Sequence, residues 1–164
     1  MKNLVTILLV LFSFTFLHSQ NTSIYIVRHA EKDISDANNK NPNLSEVGKQ
    51  RAEELLKKLK NVKFSAAYST PFYRTQQTLQ PIAAFNKIEI TSYNPSDNKK
   101  LVDEILNNYS GKNVIIVGHS NTILSILEAF GAKKPFETIS EDDYSNLFQI
   151  IIDKNTVKLQ SSKY

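Results

Sequence analysis

Two histidines and two arginines of this chain sit where strands are expected to end. The apolar run Ile24–Val27 stops at Arg28, His29 and Glu31. A second run, Val114–Val117, stops at Gly118, His119 and Ser120. Between them, Ser69-Thr70-Pro71 closes another strand-like run and delivers Arg74 at the start of a helical stretch. Taken singly, each residue has an ordinary reading: a strand-end histidine held structurally, an arginine in a surface ion pair. Taken together they repel. Two like charges about 4 Å apart cost ~1 kcal/mol in water and ~4 at an effective dielectric of about 20. Two guanidiniums and at least one imidazolium in one place therefore call for an anion. The planar guanidinium fork donates two parallel hydrogen bonds and suits a tetrahedral oxyanion. Helix N-termini, expected after Thr70 and after Ser120, would add backbone N–H groups and positive dipole ends. The pattern predicts a phosphate site.

These residues are far apart in sequence, so the fold must bring them together. Polar, turn-rich Asp33–Asn43 reads as a loop. Ser45 is placed to N-cap a helix whose apolar face is Val47, Ala52, Leu55, Leu56 and Leu59, and Gly48 inside it suggests close packing or a ligand's approach. A short strand over Lys63–Ser69 leads to a second helix that begins near Pro71 and is ended or kinked at Pro81. A strand at Lys87–Tyr93, a third helix stopped by Gly111, the strand Asn113–Gly118 and a fourth helix stopped by Gly131 follow. Leu147–Asp153 and Thr156–Gln160 suggest a closing hairpin. Strands alternating with amphipathic helices predict an α/β three-layer sandwich, a mostly parallel sheet with helices on both faces and a C-terminal β-hairpin. In such a sheet the loops at the carboxyl ends of the strands form the ligand crevice. That is the rim on which Arg28, His29, Arg74 and His119 are expected to meet.

The first residues read differently. Lys2, the apolar stretch Leu4–Leu17 and the small Ser19 before a polar segment have the pattern of a secretory signal peptide over residues 1–19. The stretch is shorter than the roughly 20 apolar residues of a membrane span. Residues 20–164 are expected to form a single catalytic domain, exported to the periplasm or secreted, with no membrane attachment after cleavage. Of the three histidines, His18 falls in this leader, which leaves His29 and His119 in matching places. With no cysteine the core must hold without disulfides, and apolar residues at 41% are enough for one. A formal charge of +4 without a clustered basic stripe excludes a nucleic-acid partner. Nothing in the sequence sets the oligomeric state.

The segments "VRHAEK", "NLSEVGKQRA", "YSTPFYRTQQT" and "VGHSNT" resemble, in order, the four signatures of the histidine phosphatase superfamily, the phosphoglycerate mutase-like fold. The resemblance implies a phosphatase that works without cofactor or metal on a small phosphorylated substrate. By it, His29 is the nucleophile that carries a phosphohistidine intermediate. Arg28, Arg74 and His119 then bind and stabilise the transferring phosphoryl group, with Ser120 at its edge. The chain lacks room for the insertions that hold phosphoglycerate in mutases, so hydrolysis is expected rather than transfer.

The leaving oxygen needs a proton, and two residues compete to supply it. Glu31 follows His29 by two positions and would share its side of an extended segment; its ordinary reading is a salt bridge. Asp97 falls on the same rim after the third strand; its ordinary reading is a helix N-cap. Glu141–Tyr144 reads as a solvated turn that borders the pocket at most.

Rival readings are weaker. "GHSNT" partly matches a nucleophile elbow, which would make Ser120 an esterase nucleophile, but no histidine follows it. A metal site from His29, Glu31 and His119 would be opposed by two arginines. A non-catalytic phosphate-binding or interaction module of the same fold, or a phosphatase of phosphohistidine proteins, remains the alternative to a phosphomonoester hydrolase.

Overall fold

The computed structural model describes residues 21–154 and 156–164. The leader read over residues 1–19 lies outside them. The elements run β1 (Thr22–Arg28), α1 (Glu46–Leu59), β2 (Phe64–Ser69), α2 (Tyr73–Asn86), β3 (Ile90–Ser92), α3 (Asn98–Asn108), β4 (Asn113–Gly118), α4 (Ile123–Ala129), β5 (Asn146–Asp153) and β6 (Thr156–Lys163). They build one sheet in the order β3-β2-β4-β1-β5-β6. The first four strands of that order are mutually parallel, β5 runs antiparallel to β1, and β6 closes the hairpin. The expected α/β architecture, mostly parallel with a terminal hairpin, is what the chain adopts.

The continuous apolar runs have a direct cause. Ile24 and Ile26 of β1 face one layer of core with α3 and α4, while Tyr25 and Val27 face the other with α1 and α2. Side chains alternate across a strand, so a strand covered on both faces must be apolar at every position.

Register then fixes the rim. Arg28 stands opposite Gly118, and Ser69 opposite Val117. The chain segments that leave β1, β2 and β4 therefore emerge side by side.

Local expectations fare unevenly. Ser45 caps α1, its hydroxyl accepting from the Gly48 N–H at 3.1 Å. Val47, expected on the buried face, is 57% exposed, because it is Gly48 that meets the rest of the molecule, packed on the backbone of Glu31. Pro81 neither ends nor breaks α2. The helix forfeits one hydrogen bond there, and burial of Leu79, Ile82 and Ala83 on either side holds it through. α3 ends at Asn108, before Gly111, whose φ of +73° serves the turn into β4 instead. Gly131, with φ +83°, follows the end of α4 as expected.

Candidate active site

The chain leaves β1 at Arg28 and stays bound to its neighbour: the His29 N–H donates to the Gly118 carbonyl at 2.9 Å. The Ala30 N–H donates to the Thr78 hydroxyl at 2.9 Å, and that hydroxyl donates back to the Arg74 carbonyl at 2.7 Å. One buried threonine of α2 thus ties the first turn of its own helix to the end of β1. At β4 the His119 N–H donates to the Thr122 hydroxyl at 3.1 Å, which sets the turn into α4. The result is one pocket of about 470 Å³ whose walls include Arg28, His29, Arg74, His119 and Ser120. All four residues expected on the rim are brought together. The His29 and His119 ring centroids lie 5.2 Å apart.

Each ring is oriented. His29 Nδ1 is 2.7 Å from the Ala30 carbonyl oxygen. A carbonyl can only accept, so Nδ1 carries the hydrogen and Nε2 keeps a free lone pair. His119 Nε2 lies 2.9 Å from the Thr70 hydroxyl, which in turn meets Thr75 at 2.9 Å.

Burial sets the charge of both rings. It drives the His29 pKa down from 6.5 to about 3, with His119, Arg74 and Arg28 pushing the same way against the Ala30 hydrogen bond. His119 falls to about 4, again through burial first and then the two arginines. Both rings are neutral at pH 7, which corrects the expectation of an imidazolium: the pocket's standing positive charge comes from Arg28, Arg74 and Lys32 and not from the histidines. The shifts have a consequence for stability. The unfolded chain binds protons at its ordinary histidine pKa of 6.5, the folded chain only near 4 and 3. What the neutral rings contribute is complete above pH 6.5 and is lost as pH falls through that window. Thermal unfolding followed against pH should show a midpoint that drops below pH 6.5, and His29→Asn should flatten the drop. An unaltered slope in that variant would contradict the assignment.

The arginines differ. Arg74 is half-buried, and its guanidinium packs 4.4 Å over the Phe72 ring. Burial, then repulsion from Arg28, lowers its pKa, and among the described residues no carboxylate pairs with it. Arg28 is 3% exposed and lies 4.1 Å over the Tyr144 ring. It donates to the carbonyls of Ser140 and Glu141 at 3.0 and 2.8 Å and to the Glu141 carboxylate at 2.7 Å. Its Nε is buried without a partner among the described residues. An orphaned buried N–H beside an unpaired guanidinium is an unsatisfied donor set for an anion.

Neither carboxylate proposed as the acid joins this pocket. Glu31 is turned away to α1, where Arg51 grips it from Nε at 2.8 Å to both oxygens and from a terminal nitrogen at 2.6 Å. β1 has ended by then, and Lys32 bridges back to Leu44, so alternation along an extended strand no longer applies. Burial raises the Glu31 pKa, but the Arg51 hydrogen bonds outweigh it and the net shift is downward. Asp97 caps α3, accepting from the Lys100 N–H at 3.0 Å, and lines a different cavity. Ser120 lines the pocket but donates to Glu141 at 2.5 Å, not to an imidazole. Among the described residues no three His, Asp or Glu side chains group as a metal site.

Sequence reasoning passed over Phe72 and Lys32, and it took Glu141–Tyr144 for a solvated turn bordering the pocket at most, whereas Glu141 and Tyr144 both engage Arg28. A signal for those two existed. β5 is antiparallel to β1, so the loop that precedes it arrives at the rim where β1 ends.

Residues 24–94 match the family model "Histidine phosphatase superfamily (branch 1)". No curated protein matches the sequence. Among solved structures, phosphoserine phosphatase from Entamoeba histolytica in complex with 3-phosphoglyceric acid superposes with a TM-score of 0.67 at 17% identity, over 87% of this chain and 97% of that one. The protein histidine phosphatase SixA complexed with tungstate gives 0.67 at 15%, over 86% and 96%. The putative phosphohistidine phosphatase SixA from Agrobacterium tumefaciens gives 0.65 at 21%, over 87% and 98%.

Proposed function

Because residues 24–94 match the histidine phosphatase superfamily and the described chain carries its fold throughout, we propose that this protein hydrolyses small phosphomonoesters through a phosphohistidine on His29. One observation carries the reading: a neutral imidazole with Nδ1 hydrogen-bonded and Nε2 free faces two guanidiniums, one unpaired and one with an orphaned N–H. The cationic pocket gathers a phosphoryl dianion, and the imidazole is a nucleophile already in its reactive tautomer.

His29 Nε2 attacks phosphorus while Arg28, Arg74 and His119 meet the charge on the equatorial oxygens. Water then hydrolyses the phosphohistidine, so one difficult displacement becomes two easier ones. The fixed guanidiniums supply the charge stabilisation that a divalent cation supplies in other phosphoryl-transfer sites, and turnover should persist in excess chelator. The same reading places the enzyme outside the cytoplasm, on the sequence of residues 1–19 alone; that location favours a small phosphoester over a cytoplasmic phosphohistidine protein.

The test is phosphate release from a panel of phosphomonoesters, with tungstate as a competing tetrahedral anion. Wild-type protein should be inhibited competitively. Arg74→Ala should weaken that inhibition roughly a hundredfold, since two charge-assisted hydrogen bonds together contribute about 3 kcal/mol. Tight tungstate binding with no ester hydrolysed would favour a phosphate-binding module instead.

A further inference from the structure

We propose that Glu141 is the proton donor to the leaving oxygen and that the leaving alcohol lies in the cavity beyond it. This inference rests on the phosphatase reading above.

Among the residues lining the phosphate pocket, Glu141 is the one carboxylate. Its two oxygens bridge opposite walls: one accepts from Arg28 at 2.7 Å, the other from Ser120 at 2.5 Å. A second cavity of about 420 Å³ shares Ser120, Asn121 and Glu141 with the first. Beyond that common wall it is lined by Leu124 and Ile139 and by the charged Glu128, Lys134 and Glu137. A phosphoester bound with its phosphoryl group at Arg28 and Arg74 and its alcohol in the second cavity has its bridging oxygen at the shared wall, where Glu141 stands. The side chain is free to adjust, being 77% exposed against 3% for its Arg28 partner.

Glu141 begins as a carboxylate. The Ser120 hydrogen bond, then Arg28 and Lys32, hold its carboxyl below the ordinary range. A phosphoryl group takes over the Arg28 donors and sets negative charge beside the carboxyl, and both changes favour its protonated form.

The step then balances. The His29 Nε2 lone pair forms the N–P bond, the P–O bond to the alcohol breaks with its electron pair on oxygen, and that oxygen takes the Glu141 proton. In the second half the Glu141 carboxylate accepts a proton from water as the water oxygen bonds to phosphorus. The P–N bond breaks back onto Nε2, inorganic phosphate leaves, and Glu141 is again protonated. Ester and water become alcohol and phosphate.

The test compares two leaving groups in one variant. An alkyl ester such as glycerol phosphate needs its oxygen protonated, while para-nitrophenolate leaves with much less help. In Glu141→Gln, kcat/KM for glycerol phosphate should fall about a hundredfold, the ordinary worth of a positioned acid, and by at least about tenfold more than for para-nitrophenyl phosphate. The ratio of the two losses is independent of how much of the variant folds, because both substrates read the same active population. Equal losses would make Glu141 only a clamp on Arg28, and equal gains would make it only a competitor of phosphate; either result overturns the proposal. If the wild-type protein hydrolyses neither ester, it is the phosphatase reading that fails.

Discussion

His29→Ala should lose phosphomonoester hydrolysis by about four orders of magnitude or more, the scale on which removal of a nucleophile acts. The reason is that the second imidazole and the serine hydroxyl of the same pocket are otherwise engaged. His119 spends Nε2 on Thr70, and the Ser120 hydroxyl is donated to Glu141. Arginine cannot act as a nucleophile at neutral pH. The change should leave anion binding largely in place, because Arg28 and Arg74 do not depend on the His29 ring for their position. Arg28 is held by the 140–143 backbone, and Arg74 by its helix and the Phe72 face. Activity gone with tungstate binding kept is therefore the expected pair of results, read from steady-state rates and a titration on the same preparation. Retained hydrolysis would mean that another residue carries the chemistry.

Gly48→Ala should destabilise the fold more than Gly118→Ala would, because the added methyl meets backbone at Gly48 and side chains at Gly118. A Cβ on Gly48 would overlap the Glu31 carbonyl oxygen and lie 3.0 and 3.1 Å from the Glu31 carbon and nitrogen. All three are backbone atoms, so no side chain can swing aside. The carbonyl itself is fixed, accepting from the Ser45 N–H at 2.9 Å. Either α1 moves away from the segment after His29 or the Ser45 cap is lost. Overpacking of this kind costs about 3 kcal/mol, a fall of roughly ten degrees in unfolding midpoint for a domain of this size. Thermal unfolding of the variant measures it, and a midpoint within a degree or two of wild type would show that the contact yields. Because Glu31 lies two residues from His29, any hydrolytic activity should fall as well.

The element order and four of the pocket's five cationic or imidazole residues, all but Lys32, were legible because they rest on short-range rules. Doubly covered strands must be apolar throughout, and parallel strands deliver their ends to one rim. The Glu31 assignment went astray on the same rule applied one residue too far, since β1 ends at Arg28 and the chain then bends toward Arg51. Arg51 itself sits in a charged helix face that gives no hint of an inward partner. Asp97 shows the opposite case: its capping role was visible in the sequence, and the geometry bears it out. Glu141 was read only as part of a solvated turn, because the reading looked for chemistry only after parallel strands, whereas an antiparallel neighbour brings its preceding loop to the same place. The charge of the histidines could not be read at all, as it follows from burial that only the packed fold determines.

The claim that most else depends on is that phosphate is transferred to His29. Mixing the protein with a phosphoester labelled in its phosphoryl group, stopping the reaction in alkaline denaturant and mapping the label tests it directly. The expected result is label on His29, stable in base and lost in acid as a phosphoramidate is, and absent from His29→Ala. Label on Ser120 or another hydroxyl, or steady turnover with no labelled protein under any quench, would contradict it.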